Sequence, residues 1–160
     1  MKYKLYLITL LFMFSGSALA DKNKNISPED LPAFARFFLR TEFAEAKILS
    51  VLENTEDKCF EVITEEGSKF EFDENGQWTN IECFSSSVPT LIIPQKIITA
   101  IRKNCGPNVK ILQIKRITRG RYDVELSNEL GLRFDKKCEI IDVRDKELIA
   151  QQNKKIKAYK

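Results

Sequence analysis

Four cysteines are the side chains in this sequence with most reactive potential: Cys59, Cys83, Cys105 and Cys138, in a chain of 160 residues with no histidine. Without histidine, the base of Ser-His-Asp and Cys-His mechanisms is missing, as is the commonest metal ligand. More than twenty residues separate each cysteine from the next. Zinc sites and thiol oxidoreductases bring their cysteines in close Cys-x-x-Cys pairs, so neither is expected. In an exported protein an even count points to disulfides, so at least one is expected, with three pairings open. Cys105 also fits as a plain apolar residue on a helix. The carboxylate pairs, Glu65-Glu66 and Asp73-Glu74, fall at turn sequences where charge stays solvated, and acid-base catalysis needs burial. The six glycines are scattered and form no phosphate-binding motif. The residue types therefore predict no enzyme, no metal and no cofactor.

The N-terminus predicts export. "MKYK" is a basic lead, "LYLITLLFMF" an apolar core, and "SGSALA" a small-residue ending, so cleavage is expected between Ala20 and Asp21. The apolar run is too short to cross a bilayer. Loss of Lys2 and Lys4 with this leader takes the formal charge from +3 to +1. Six basic and two acidic residues concentrate +4 in 144–160, which leaves the body, 21–143, at −3. A body of that charge does not resemble a nucleic-acid binder, which would carry a basic patch on a folded face. The basic tail is expected to be solvated, with contact to an anionic membrane the lesser expectation.

The elements that must position any site come in two sets. "KILSV" at 47–51 and "KILQI" at 110–114 belong to a longer match at an offset near 62, in which Leu31-Pro32 meets Ile93-Pro94 and Phe60-Glu61-Val62 meets Tyr122-Asp123-Val124. Phe72-Asp73 likewise meets Phe134-Asp135, and Trp78 meets Ile140. This reads as a tandem duplication. Each half opens with a helix after proline, carrying Ala35, Phe38, Leu39 and Phe43 in one case and Ile97, Ile98, Ile101 and Cys105 in the other as an apolar stripe. Period-two strands follow, joined by turns at "EEGS" and "ENGQ". At the second copy of "ENGQ", Cys138 stands where Gly76 does, which predicts a different or looser turn. Each half thus reads α-β-β-β-β, an α+β fold with one antiparallel sheet and helices on one face. Leu49 with Val51, and Leu112 with Ile114, are expected to face the helices, and Ser50 and Gln113 water. Trp78 is expected in the core.

The segments "LPAFARFFLRTEF", "FEFDENGQWTNIEC", "VPTLIIPQKI" and "YDVELSNELGLRFD" resemble the PepSY-like family of periplasmic proteins described as β-lactamase-inhibitor-like, found in Bacteroides-type bacteria. The resemblance implies two αβ4 repeats, 31–83 and 93–143, around a hinge at 84–92. A lead at 21–30 precedes them and the tail at 144–160 follows. It implies a periplasmic or secreted location and no catalytic residues. Glu61, Lys69, Glu71, Arg121, Asp123, Glu125 and Arg133 are expected to line the wet face of the sheet and are the candidate contacts for a partner, another exported protein. The alternative is a structural or envelope-associated protein whose basic tail touches membrane or partner.

Overall fold

The computed structural model describes residues 22–145, so the leader, the expected cleavage point after Ala20 and the tail beyond Asp145 lie outside the described residues. A short strand β1 (Asn23–Asn25) leads through a 3-10 turn into α1 (Ala33–Glu42), followed by β2 (Ile48–Asn54), β3 (Cys59–Thr64), β4 (Lys69–Phe72) and β5 (Trp78–Glu82). Then come α2 (Gln95–Cys105), β6 (Ile111–Ile117), β7 (Arg121–Leu126), β8 (Leu130–Phe134) and β9 (Ile140–Asp145). Among the described residues, nine strands form one antiparallel sheet in sequence order. Sequential antiparallel hairpins need only short turns, and each helix spans the gap between strands on one face. Pro32 and Pro94 cap the helices, where a missing N–H costs least, and Gly106 ends α2 at φ 99°.

One row of side chains makes the spine of the core. Val51, Val62, Phe70, Ile81, Ile114, Val124, Leu132 and Val143 stand opposite one another, strand to strand, from β2 to β9. Seven of them are at most 2% exposed. Ala35, Phe38 and Leu39 of α1 and Ile97, Ile98 and Ile101 of α2 pack into the same cluster, so both halves share a single core. Full burial of such side chains contributes roughly 1.5–3 kcal/mol each.

The opening strand of each half departs from strict alternation. The register shifts between Ile48 and Ser50 in β2 and between Ile111 and Gln113 in β6. The extra residue of each bulge, Leu49 or Leu112, is displaced from its expected place. Leu49 is 67% exposed and Leu112 only half-buried, while Val51, Ile111 and Ile114 enter the core. Matching shifts recur where Phe72 meets Trp78 and where Phe134 meets Ile140.

The turn at Cys138 is not looser than its counterpart. Asp73 Oδ1 accepts the N–H groups of Asn75 and Gln77, both at 2.9 Å. Asp135 Oδ1 accepts those of Lys137 and Glu139 at 2.8 and 2.9 Å. The aspartate side chain closes both turns, so the backbone follows the same path with Gly76 at φ 78° and Cys138 at φ 64°. Two boundaries also move. The lead at 21–30 contains the edge strand β1, and β9 runs on through Arg144 and Asp145, which the charge pattern had assigned to the tail. The connection at 84–92 is anchored: Val88 is buried and its N–H donates to Ile111 O at 2.8 Å.

Candidate functional site: the open face of the sheet

Alternation places every second strand residue opposite the helices. Across this face Leu52, Glu61, Glu71, Asn80, Lys115, Asp123, Arg133 and Asp142 are register partners in turn from β2 to β9. A second row runs beside it through Ser50, Ile63, Lys69, Glu82, Gln113, Glu125, Gly131 and Arg144. Of the seven residues expected on the wet face, six fall in these rows, and Arg121 joins them by alternation with Asp123 at the start of β7.

The charges sort into two clusters. In the first half, Lys69 Nζ lies 2.7 Å from Glu61 and 3.3 Å from Glu71. The hydrogen bond to Glu61, partly opposed by desolvation, raises the Lys69 pKa above the ordinary lysine value. In the second half, Arg133 Nε and Nη2 donate to the two carboxylate oxygens of Asp123 at 2.8 and 2.9 Å, a bidentate pair. Arg144 approaches Asp123 at 3.6 Å and Glu125 at 3.8 Å. The Arg133 hydrogen bonds, against a smaller desolvation effect, hold Asp123 below the usual carboxylate range. Between the clusters, Gln113 Nε2 donates to Asn80 Oδ1 at 2.9 Å and Asn80 Nδ2 donates to Glu71 at 3.3 Å. Asn80 is only 3% exposed. Sequence reasoning missed Asn80, Gln113 as its partner, and Arg144, because only the register brings them together. A depression of about 340 Å³ opens over the first half of this face, with Leu52, Glu61, Glu71 and Thr79 in its lining.

The cysteines do not converge. All four are free thiols, so the expected disulfide is not formed. Cys59 opens β3 and Cys138 sits in the turn between β8 and β9, five to six strand spacings away, or roughly 24–29 Å along the sheet. Cys83 follows β5 near the middle and Cys105 ends α2. Burial is the leading cause that pushes the Cys59, Cys83 and Cys105 thiols up, and this disfavours the nucleophilic thiolate. Among the described residues, no three acidic or thiol side chains gather to hold a metal.

Trp78 is 6% exposed and belongs to the core. The Arg116 guanidinium stacks 3.6 Å from its ring centroid, a cation–π contact that joins β5 of the first half to β6 of the second.

A family model described as "Putative beta-lactamase-inhibitor-like, PepSY-like" matches residues 58–142, more than half of the chain. The chain belongs to the PepSY-like family. Its fold is also that of solved periplasmic proteins. A Bacteroides vulgatus protein described as a "putative periplasmic protein" is 35% identical, with a TM-score of 0.73 over 78% of this chain and 98% of that one. A Bacteroides thetaiotaomicron protein described as a "putative calcium-regulated periplasmic protein" is 35% identical, with a TM-score of 0.72 over the same shares. A second B. vulgatus protein, of unknown function, is 26% identical with a TM-score of 0.70, over 77% of this chain and 99% of that chain. Comparison with curated proteins finds no match. These relatives place this PepSY-like protein in the periplasm.

Proposed function

We propose that this PepSY-like protein is a non-catalytic periplasmic binding module that docks another exported protein on the open face of its sheet. The observation that carries this reading is the pair of polar rows aligned across eight strands, on a face that neither helix covers. Partly exposed, mutually oriented charges of both signs suit electrostatic recognition, which selects partners more than it adds affinity. The inhibitor-like description of the family agrees with a docking role. The matching bulges and aspartate-closed turns of the two halves support tandem duplication as the origin of this broad face.

The test is site-specific photo-crosslinking in the periplasm, with the probe at Lys115 on the open face or at Phe37, exposed on α1. A discrete exported protein should be captured from position 115, lost in Arg121→Glu/Arg133→Glu, and retained when 146–160 are deleted. Equal capture from position 37, or capture that depends on the tail alone, sinks the docking face and favours the envelope-associated alternative.

A further inference from the structure

The buried core row ends abruptly. Seven of its eight residues are at most 2% exposed, yet the eighth, Val143 on β9, is 58% exposed. Its counterpart in the first half, Ile81 on β5, is fully buried because β6 continues the sheet beside it. Among the described residues no strand lies beyond β9. Ile141, also on β9, is 53% exposed.

The two edges of the sheet are built differently. β1 is three polar residues, Asn23-Lys24-Asn25, the short and charged form that discourages edge pairing. β9 has six residues, Ile140–Asp145; its register shifts at Ile141, and from Asp142 to Asp145 it runs regularly with Val143 exposed. A regular edge with an exposed apolar side chain is a template for another strand.

We propose that β9 pairs antiparallel with β9 of a second copy of this chain, with Val143 on the two-fold axis. The register follows from symmetry and charge. An antiparallel pair of identical strands is related by a two-fold axis perpendicular to the sheet, and residues facing each other across it must point to the same side. The axis therefore passes at a residue, and the central choices are Asp142, Val143 and Arg144. At Asp142 two carboxylates oppose each other, and at Arg144 two guanidinium groups do; like charges directly opposite are destabilising. At Val143, valine faces valine, and Asp142 of each copy faces Arg144 of the other on the open side. Two opposite-charge pairs thus flank an apolar pair, and the core row runs on from Leu132 and Val143 into the same residues of the second copy. The open face doubles in width, with Asp142 and Arg144 at its seam. This inference does not depend on what the open face binds.

The test is sedimentation equilibrium of the mature chain, residues 21–160, with its thiols kept reduced. The wild type should dimerise reversibly. Val143→Lys and Val143→Asp change an exposed side chain, so both should fold, as circular dichroism would show, and each should weaken the dimer on the order of tenfold or more. An equimolar mixture of the two variants should recover it, because lysine then faces aspartate across the axis. Three results overturn the proposal: a monomer at about 0.1 mM, a dimer indifferent to both substitutions, or a dimer that forms only once 146–160 are removed. The last would assign the β9 edge to the chain's own tail.

Discussion

The two halves of the sheet follow one plan, but they are finished differently. In the first, the Gly76 turn presses on the start of α1, where an added Cβ would meet Ala35 N at 2.7 Å and Pro32 Cβ at 2.9 Å. In the second, the same backbone turn carries Cys138 at φ 64°. Trp78 is sealed by Arg116, whereas its counterpart Ile140 is only partly buried. The cleft bordered by α1 and β2 is about 470 Å³, and that bordered by α2 and β6 is about 160 Å³. On the open face a lysine between two glutamates corresponds to an arginine–aspartate fork joined by a second arginine. Strand pairing, turn closure and the buried core row are common to both halves, while the polar clusters on the open face and the clefts beside the helices differ.

The contrast can be attacked first at Trp78. Trp78→Ala should lose roughly 3–5 kcal/mol in urea unfolding, as expected for a buried aromatic. Ile140→Ala should lose clearly less, because its site already meets solvent. Equal losses would show that the second half is as tightly packed as the first.

The paired turns come next. Gly76→Ala should cost about 1–3 kcal/mol, from positive φ and from the collision with α1. Cys138→Gly should do the reverse and stabilise by up to about 1 kcal/mol, because glycine relieves the left-handed backbone. Both values come from the shift of the denaturation midpoint. A loss on Cys138→Gly would mean that the half-buried thiol contributes more by packing than it costs in strain.

The smallest expected effects are in pH dependence, and here the halves should fail at opposite ends. Asp123 has a depressed pKa in the folded state. Its stabilisation is present above its unfolded pKa near 3.9 and is lost as pH falls through the lower folded value. Lys69 has a raised pKa, so its contribution is present below its unfolded pKa near 10.4 and is lost as pH rises through the folded value. Thermal scans against pH should show Asp123→Asn flattening the acid limb and Lys69→Met the alkaline limb. The same limb affected by both substitutions would show that the clusters act as one network.

Much of this architecture was legible. Ala35, Phe38 and Leu39, and Ile97, Ile98 and Ile101, recur at helical spacing, and the strand residues from Phe60 to Phe72 and from Tyr122 to Phe134 alternate, so both patterns mark their buried sides directly. β1 escaped notice because Asn-Lys-Asn has no apolar alternation; its strand conformation comes from pairing with Leu52, Glu53 and Asn54. Leu49 was misplaced because a bulge is a property of two strands together and leaves no mark in one. At Cys138 the residue type misled, since Asp135 closes the turn through its side chain.

The two sets of elements and the apolar side of each strand can be read from the residues alone, as can the expectation of an export signal. These depend on local periodicity and on residue types, which act over a few positions. Which strand residues face one another is set by the assembled sheet. It aligned Glu61, Glu71, Asn80, Lys115, Asp123 and Arg133 into one row, separated the four cysteines, and left Val143 bare at the end of a buried row. Register is set by hydrogen bonds between strands and by the bulges that shift them, and a side chain's neighbours across a sheet are many positions away along the chain.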